Sequence, residues 1–149
     1  SPQKIEDKLK DFSGVVSDIQ KQFKDSSKTT FVAVCIPEFL SVYETERLVQ
    51  ELAKSDMDIQ NIVVNQLVIK PTNCECYMCD ARTKIQQKYV KQIHLLYDLF
   101  HIVEMPLLYE EIRGLDKLIH FGNHLINPFT QQDADNEYAK QKLNASKQK

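Results

Sequence analysis

Between Ile5 and Phe23 the apolar side chains Ile5, Leu9, Phe12, Val16, Ile19 and Phe23 recur every three or four positions, the period of one helix face. A polar break, Asp25 to Lys28, follows. Thr30 to Ile36 is then dense in β-branched and aromatic residues and stops at Pro37, the pattern of a strand buried on both faces. Ser41 and Glu44 have capping-box spacing, and Leu48, Val49 and Leu52 continue an apolar stripe, so a second helix is expected to start there. Ile59 to Val68, built around Ile62-Val63-Val64 between Asn61 and Asn65, reads as a second buried strand.

Lys70 to Asn73, with Pro71, suits an exposed loop leading into a run of cysteines. Past Cys79, the residues Ile85, Tyr89, Ile93, Leu96 and Phe100 return to helical spacing, predicting a helix of roughly five turns. His101 to Met105 is a third short strand ended by Pro106, and Leu115, Leu118, Ile119 and Leu125 mark a last helix. From Thr130 the composition turns polar, and a frayed, disordered tail over 130–149 is expected. A leading helix followed by strand-helix alternation, without a hairpin signal, predicts an α/β fold with a parallel sheet flanked by helices. Three strands with four helices make a thin sheet of this kind, one edge of a larger domain.

Composition narrows the function classes. The chain has 149 residues, 42% of them hydrophobic, and a net charge of −2. That is enough apolar material for one core and too little positive charge to attract nucleic acid or anionic lipid. Apolar runs such as Ile62 to Val64 are far shorter than the ~20 residues that span a bilayer, so a membrane role is expected to act through a partner. The start, Ser-Pro-Gln and then charged residues, has neither signal-peptide nor transit-peptide character, which fits a cytoplasmic chain. Cys35 stands alone in an apolar run, where a thiol acts as a small hydrophobe, whereas Cys74, Cys76 and Cys79 crowd together.

In a reducing compartment such crowding favours metal or redox chemistry over a disulfide framework. Cys76-x-x-Cys79 can supply two of zinc's four tetrahedral ligands, and from spacing alone an unliganded or redox-active pair is as good a reading. No second pair follows; His94 falls inside the long helix and His101 at a strand start. Asn65 and Gln66 end the second strand, where open parallel sheets bind ligands, although an Asn there also serves as a turn former. Phe39, Tyr43 and Glu46 share one side if the helix extends back that far, either as a binding surface or as core. Arg113 and Gly114 read first as a loop-to-helix junction.

Four separated segments carry a family resemblance: Phe39 to Leu48 (FLSVYETERL), Ile62 to Leu67 (IVVNQL), Cys76 to Arg82 (CYMCDAR) and Met105 to Gly114 (MPLLYEEIRG). In order and spacing they resemble the C-terminal portion of the tail-anchored-protein-targeting ATPases, of the arsenite-pump ATPase family, over roughly residues 1 to 129. The resemblance implies a partial P-loop NTPase fold. Residues 1–28 would be the last helix of an inserted helical subdomain and 29–129 the C-terminal part of the nucleotide-binding domain. It further implies adenine contacts by Asn65 and Pro106, and one zinc shared by a homodimer through Cys76 and Cys79, with no requirement for Cys74. Phe39, Tyr43 and Glu46 would bind a membrane receptor at the endoplasmic reticulum, on an acidic face to which the next helix adds only Asp98. Tail-anchored proteins would be the clients, with ATP and magnesium as cofactors of the parent protein. The phosphate loop is expected to be missing, since Gly14, Gly114 and Gly122 have the wrong separations. Zinc-linked dimerisation without a nucleotide role, or thiol or metalloid sensing by Cys74, Cys76 and Cys79, are the rival readings.

Overall fold

The β-branched run Ile62-Val63-Val64 belongs to the middle strand of the sheet. The computed structural model describes residues 2–147, so Ser1 at the start of the expected leading helix and Gln148 and Lys149 in the expected tail lie outside the described residues. Strand β1 (Phe31–Cys35), β2 (Ile59–Leu67) and β3 (His101–Pro106) form a parallel sheet in the order β1-β2-β3. Helix α2 (Phe39–Lys54) connects the first pair and α3 (Tyr77–Leu96) the second. Register places Ala33 beside Ile62 and Cys35 beside Val64, with Ile102 and Glu104 on the other flank. Because side chains alternate across a strand, this set faces one way, and Val42 of α2 with Ile93 of α3 and Tyr97 close over it.

The opposite face is mostly open. Val32 and Val34 are 50% and 64% exposed, while Met105 is buried where the short 3-10 turn Asn123–Leu125 touches β3. Parallel sheets are normally covered on both sides. Helix α1 (Pro2–Lys24) forms as its periodicity predicts, yet none of its residues is buried. Its contact with the sheet is at its end, where the Phe23 and Phe31 rings meet edge-on at 5.7 Å.

Three expectations are corrected. The second helix starts at Phe39, before the Ser41–Glu44 capping box. Pro37 breaks the strand and the chain coils at once, so the Ser41 hydroxyl turns back to accept the Ile36 amide at 2.9 Å and Glu44 pairs with Arg47. The third helix starts at Tyr77, so Cys79 lies in its first turn. The expected disordered tail is a helix, α5 (Gln131–Lys147), which follows α4 (Leu115–Gly122) and the 3-10 turn. Its start is a reciprocal cap: the Asp133 carboxylate accepts the Thr130 amide at 2.8 Å, and Thr130 Oγ1 accepts the Asp133 amide at 3.2 Å. That arrangement satisfies amides that a helix start otherwise leaves without partners.

Candidate functional site

The chain just past each strand, at Ile36, Val68 and Leu107, borders the first half of α3, and the sequence-predicted residues collect around that edge. Gln86, a buried residue of α3, accepts the Val68 amide at 2.9 Å and donates to the Val68 carbonyl at 2.7 Å. One side chain thus completes the backbone pairing where β2 runs out, and it holds the helix against the strand end. A cleft of about 480 Å³ opens there, bordered by Phe39, Gln66, Arg82, Tyr89 and Leu107.

Asn65 lies half-buried at the end of β2. Its Oδ1 accepts the Gln66 amide at 2.9 Å, and Gln66 takes φ +61°, a left-handed conformation uncommon outside glycine. Half of the Asn65 amide therefore serves its own turn. Pro106 is buried at the end of β3, beside Leu67, and the Leu107 amide bonds the Leu67 carbonyl at 2.7 Å. The cavity that Pro106 lines, about 180 Å³, is shared with Cys79, Tyr109, Phe129 and Ala134. Asn65 and Pro106 sit on neighbouring strands, while the cavity joins Pro106 to the cysteine pair.

Cys76 caps α3, its sulfur accepting the Cys79 amide at 3.3 Å. Hydrogen bonds from the Cys79 thiol and from backbone amides hold the Cys76 thiol below its ordinary value. Bonding to Cys76, followed by burial, pushes Cys79 up to about 11. The pair releases a first proton readily and resists losing a second, because two adjacent thiolates repel. A cation bridging both sulfurs would remove that penalty, so the donor set fits two corners of a tetrahedral zinc site. Among the described residues no group of three or more His, Cys, Asp or Glu could hold a metal, and the other corners would have to come from elsewhere. Tyr77 and Met78, between the two cysteines, are 84% and 63% exposed. Cys74 is half-exposed. Lys70 bonds Asp80 in the first turn of α3 at 2.6 Å; that bond first, and the nearby sulfurs after it, raise its affinity for its proton.

Phe39 and Tyr43 stack on α2 with ring centroids 6.3 Å apart, and both are exposed. The residues that α2 buries are Val42 and Thr45, and the aromatic pair lies outside that core. Glu46, half-exposed, joins them along a shallow notch with Tyr89. His94 is taken up by Glu104 at 2.8 Å, and Arg113 by Glu111 at 2.9 Å. Gly114, with φ +84°, precedes α4 as its N-cap. Cys35 is buried, and desolvation raises its thiol value. Gln86 and the Lys70–Asp80 pair had no sequence signal, since both depend on contacts formed by folding.

A family model for anion-transporting ATPases matches residues 1–127. The chain belongs to that family. A protein named ATPase ASNA1 homolog from Trypanosoma cruzi is 57% identical over 121 residues, which is 80% of this chain and 33% of the relative. ATPase get3 of Neurospora crassa is 52% identical over 123 residues, or 83% and 36%. ATPase GET3 of Chaetomium globosum is 50% identical over the same shares. The chain spans about a third of the length of the curated relatives it matches. In this anion-transporting ATPase family member, the matched part takes in the sheet, α2, α3 and the cysteine pair, and α5 follows it. No helix among the described residues is long and apolar enough to cross a membrane.

Proposed function

We propose that this chain contributes to an ATP-dependent targeting factor that delivers tail-anchored membrane proteins to the endoplasmic reticulum from the cytoplasm. Its share is the adenine side, a zinc clasp between two copies, and part of a receptor-binding face. The observation that carries the reading is the presentation of Cys76 and Cys79 at the open end of α3, with exposed Tyr77 and Met78 between them, in a chain of this family. Two thiolates per copy, paired about a two-fold axis, meet zinc's demand for four ligands symmetrically. The metal's role there is structural, joining copies rather than activating substrate. ATP use by the whole protein is supported by the relatives' names as ATPases, and magnesium is proposed as the nucleotide's counter-ion.

Within this reading residues 1–28 belong to a helical subdomain inserted in the nucleotide-binding domain and 29–129 to that domain itself. Asn65 and Pro106 lie at the base side. The isolated chain is expected to bind ATP weakly and not to hydrolyse it, because phosphate loops supply most nucleotide affinity and its glycines lack that spacing. The stacked Phe39 and Tyr43 with Glu46 offer an apolar anchor beside a steering charge. A cytosolic segment of a membrane receptor with basic character fits that surface, and Tyr43→Ala combined with Glu46→Arg should abolish its capture without unfolding the chain.

Zinc content by elemental analysis and molar mass by light scattering, on one reduced sample, test the clasp. One zinc per two chains, with dissociation on chelation, is expected, and Cys76→Ser or Cys79→Ser should lose both while Cys74→Ser keeps both. One zinc per single chain, or a dimer of unchanged mass after metal removal, rejects it. The shared proton of the Cys76–Cys79 pair favours a second reading, a thiol or metalloid sensor. Alkylation mapping under reducing and oxidising conditions separates a reactive pair from a closed zinc site.

A further inference from the structure

Helix α5 lies beyond the family-matched residues, yet it is joined to the cysteine loop by side chains from successive turns. Asp135 accepts both the Thr72 amide at 2.7 Å and the Thr72 hydroxyl at 2.9 Å. Gln131 donates to the Lys70 carbonyl at 2.8 Å. Ala134, on the same face of the helix, is 3% exposed, and one turn on, Tyr138 packs its ring 6.4 Å from that of Tyr109. Polar groups at the edges with a buried small residue between them make a docked face; a loose polar tail would bury nothing. Lys70 passes the contact on, since its ammonium holds Asp80 beside Cys79. The cavity between Cys79 and Pro106 has Ala134 and Glu137 among its walls.

We infer that α5 is an intramolecular strap that clamps the Lys70–Cys74 loop, closes the cavity between Cys79 and Pro106, and thereby sets how far the Cys79 thiol is open to solvent. Presentation of the cysteine pair is then governed by a segment outside the part the family shares. The inference goes beyond the clasp reading and stands without it: a chain that binds no zinc loses the clasp and keeps the strap.

The test uses the full chain, reduced and stripped of metal. Maleimide labelling of each cysteine is followed by peptide mass mapping, and amide exchange is measured in parallel. Asp135→Ala removes a carboxylate that accepts from the Thr72 amide, the Thr72 hydroxyl and the Gln131 amide, so Cys79 labelling should rise on the order of tenfold, the size of one charge-assisted hydrogen bond lost from a local closing equilibrium. The Thr72 amide should lose protection, while the strands β1 to β3 keep theirs and buried Cys35 stays slow. Thr72→Val should give a smaller rise, less than additive with Asp135→Ala, as groups in one contact require. If Asp135→Ala loosens the strands as well, Gln131→Ala is the milder release and should raise Cys79 labelling alone. Cys79 labelling unchanged in all three variants, or α5 amides without protection in the parent chain, overturns the strap.

Discussion

The two sides of the sheet differ in how much of their apolar surface they bury. On the side of α2 and α3, Ile62 and Val64 are fully shielded and Ile93 is 1% exposed. On the other, Val32 and Val34 stand open; α1, which reaches the sheet at Phe23 on Phe31, likewise leaves Ile5, Leu9 and Phe12 all more than 60% exposed. Local periodicity is as good in uncovered α1 as in packed α3, so periodicity specifies a helix face without specifying that anything covers it. The accessible surface is 11296 Å², against about 7,800 Å² expected for a folded monomer of 17.3 kDa. The excess is the mark of a fold whose stability comes from one face and whose other face offers apolar surface for burial.

Truncating one residue of the packed face and one of α1 gives the largest contrast. Ile62→Ala in the middle of β2 should cost about 2–5 kcal/mol, the range for emptying a packed site. Phe12→Ala on α1 should change stability by less than about 0.5 kcal/mol, because its ring touches little that the mutation could remove. Urea denaturation of both variants at equal protein concentration measures the two values. A Phe12→Ala cost approaching that of Ile62→Ala would mean that α1 is covered in solution, and the contrast between the packed face and α1 would collapse.

A finer contrast lies inside the packed side. Gln86 and Tyr97 are both buried and polar, but Gln86 makes two hydrogen bonds to Val68, while the Tyr97 hydroxyl has no partner among the described residues. Gln86→Leu strands the part-buried amide and carbonyl of Val68, and should destabilise by about 1–3 kcal/mol. Tyr97→Phe removes a group that already lacks a partner, keeps the ring that packs on Phe100 at 5.0 Å, and should be neutral or mildly stabilising. Thermal melts of the two variants would put them on opposite sides of the parent. A loss with Tyr97→Phe comparable to Gln86→Leu would show that an ordered water satisfies the hydroxyl.

What was legible in the sequence follows the same division. The strands were readable because Ile62-Val63-Val64 and Phe31 to Cys35 carry their own β-branched pattern, and α1 and α3 because theirs is periodic. Helix α2 was displaced by two residues because Ser41-x-x-Glu44 has the form of a capping box, whereas Pro37 had already started the turn and the hydroxyl is used on Ile36. Helix α5 was missed because its face is held by Asp135 and Gln131 to a loop some 60 residues away, a contact that hydropathy does not register. Its local start, Thr130-x-x-Asp133, was present and went unread because the apolar run that usually follows such a cap is absent. The cysteine pair was visible from spacing, but the unequal protonation of its two thiols depends on the turn of α3 that brings the Cys79 amide to the Cys76 sulfur. Gln86 carries no pattern at all; only its contact with Val68 identifies it.

The smallest expected effect concerns acid and the docking of α5. Hydrogen bonds from the Thr72 amide and hydroxyl hold the Asp135 carboxyl below the ordinary carboxylate range, and the Thr130 hydroxyl and amide do the same for Asp133. A carboxyl whose folded value is depressed contributes stability that is present in full above its unfolded value of about 3.9. That contribution fades as pH falls through the lower folded value. Both groups are solvent-facing, so screening by water keeps the effect modest. Docking of α5 should therefore be unchanged from neutral pH down to about 4 and weaken below that, while the apolar packing of α2 and α3 on the sheet persists. Carboxyl carbon shifts followed by NMR should titrate below the ordinary midpoint for Asp133 and Asp135, with the Thr72 amide shift moving in step with Asp135. Asp135→Asn should remove the Thr72 response and leave that of Thr130 in place. An Asp135 midpoint at or above the ordinary value, or a Thr72 amide indifferent to it, would mean that the carboxylate does not hold the loop, and that α5 rests there on Gln131, Ala134 and Tyr138.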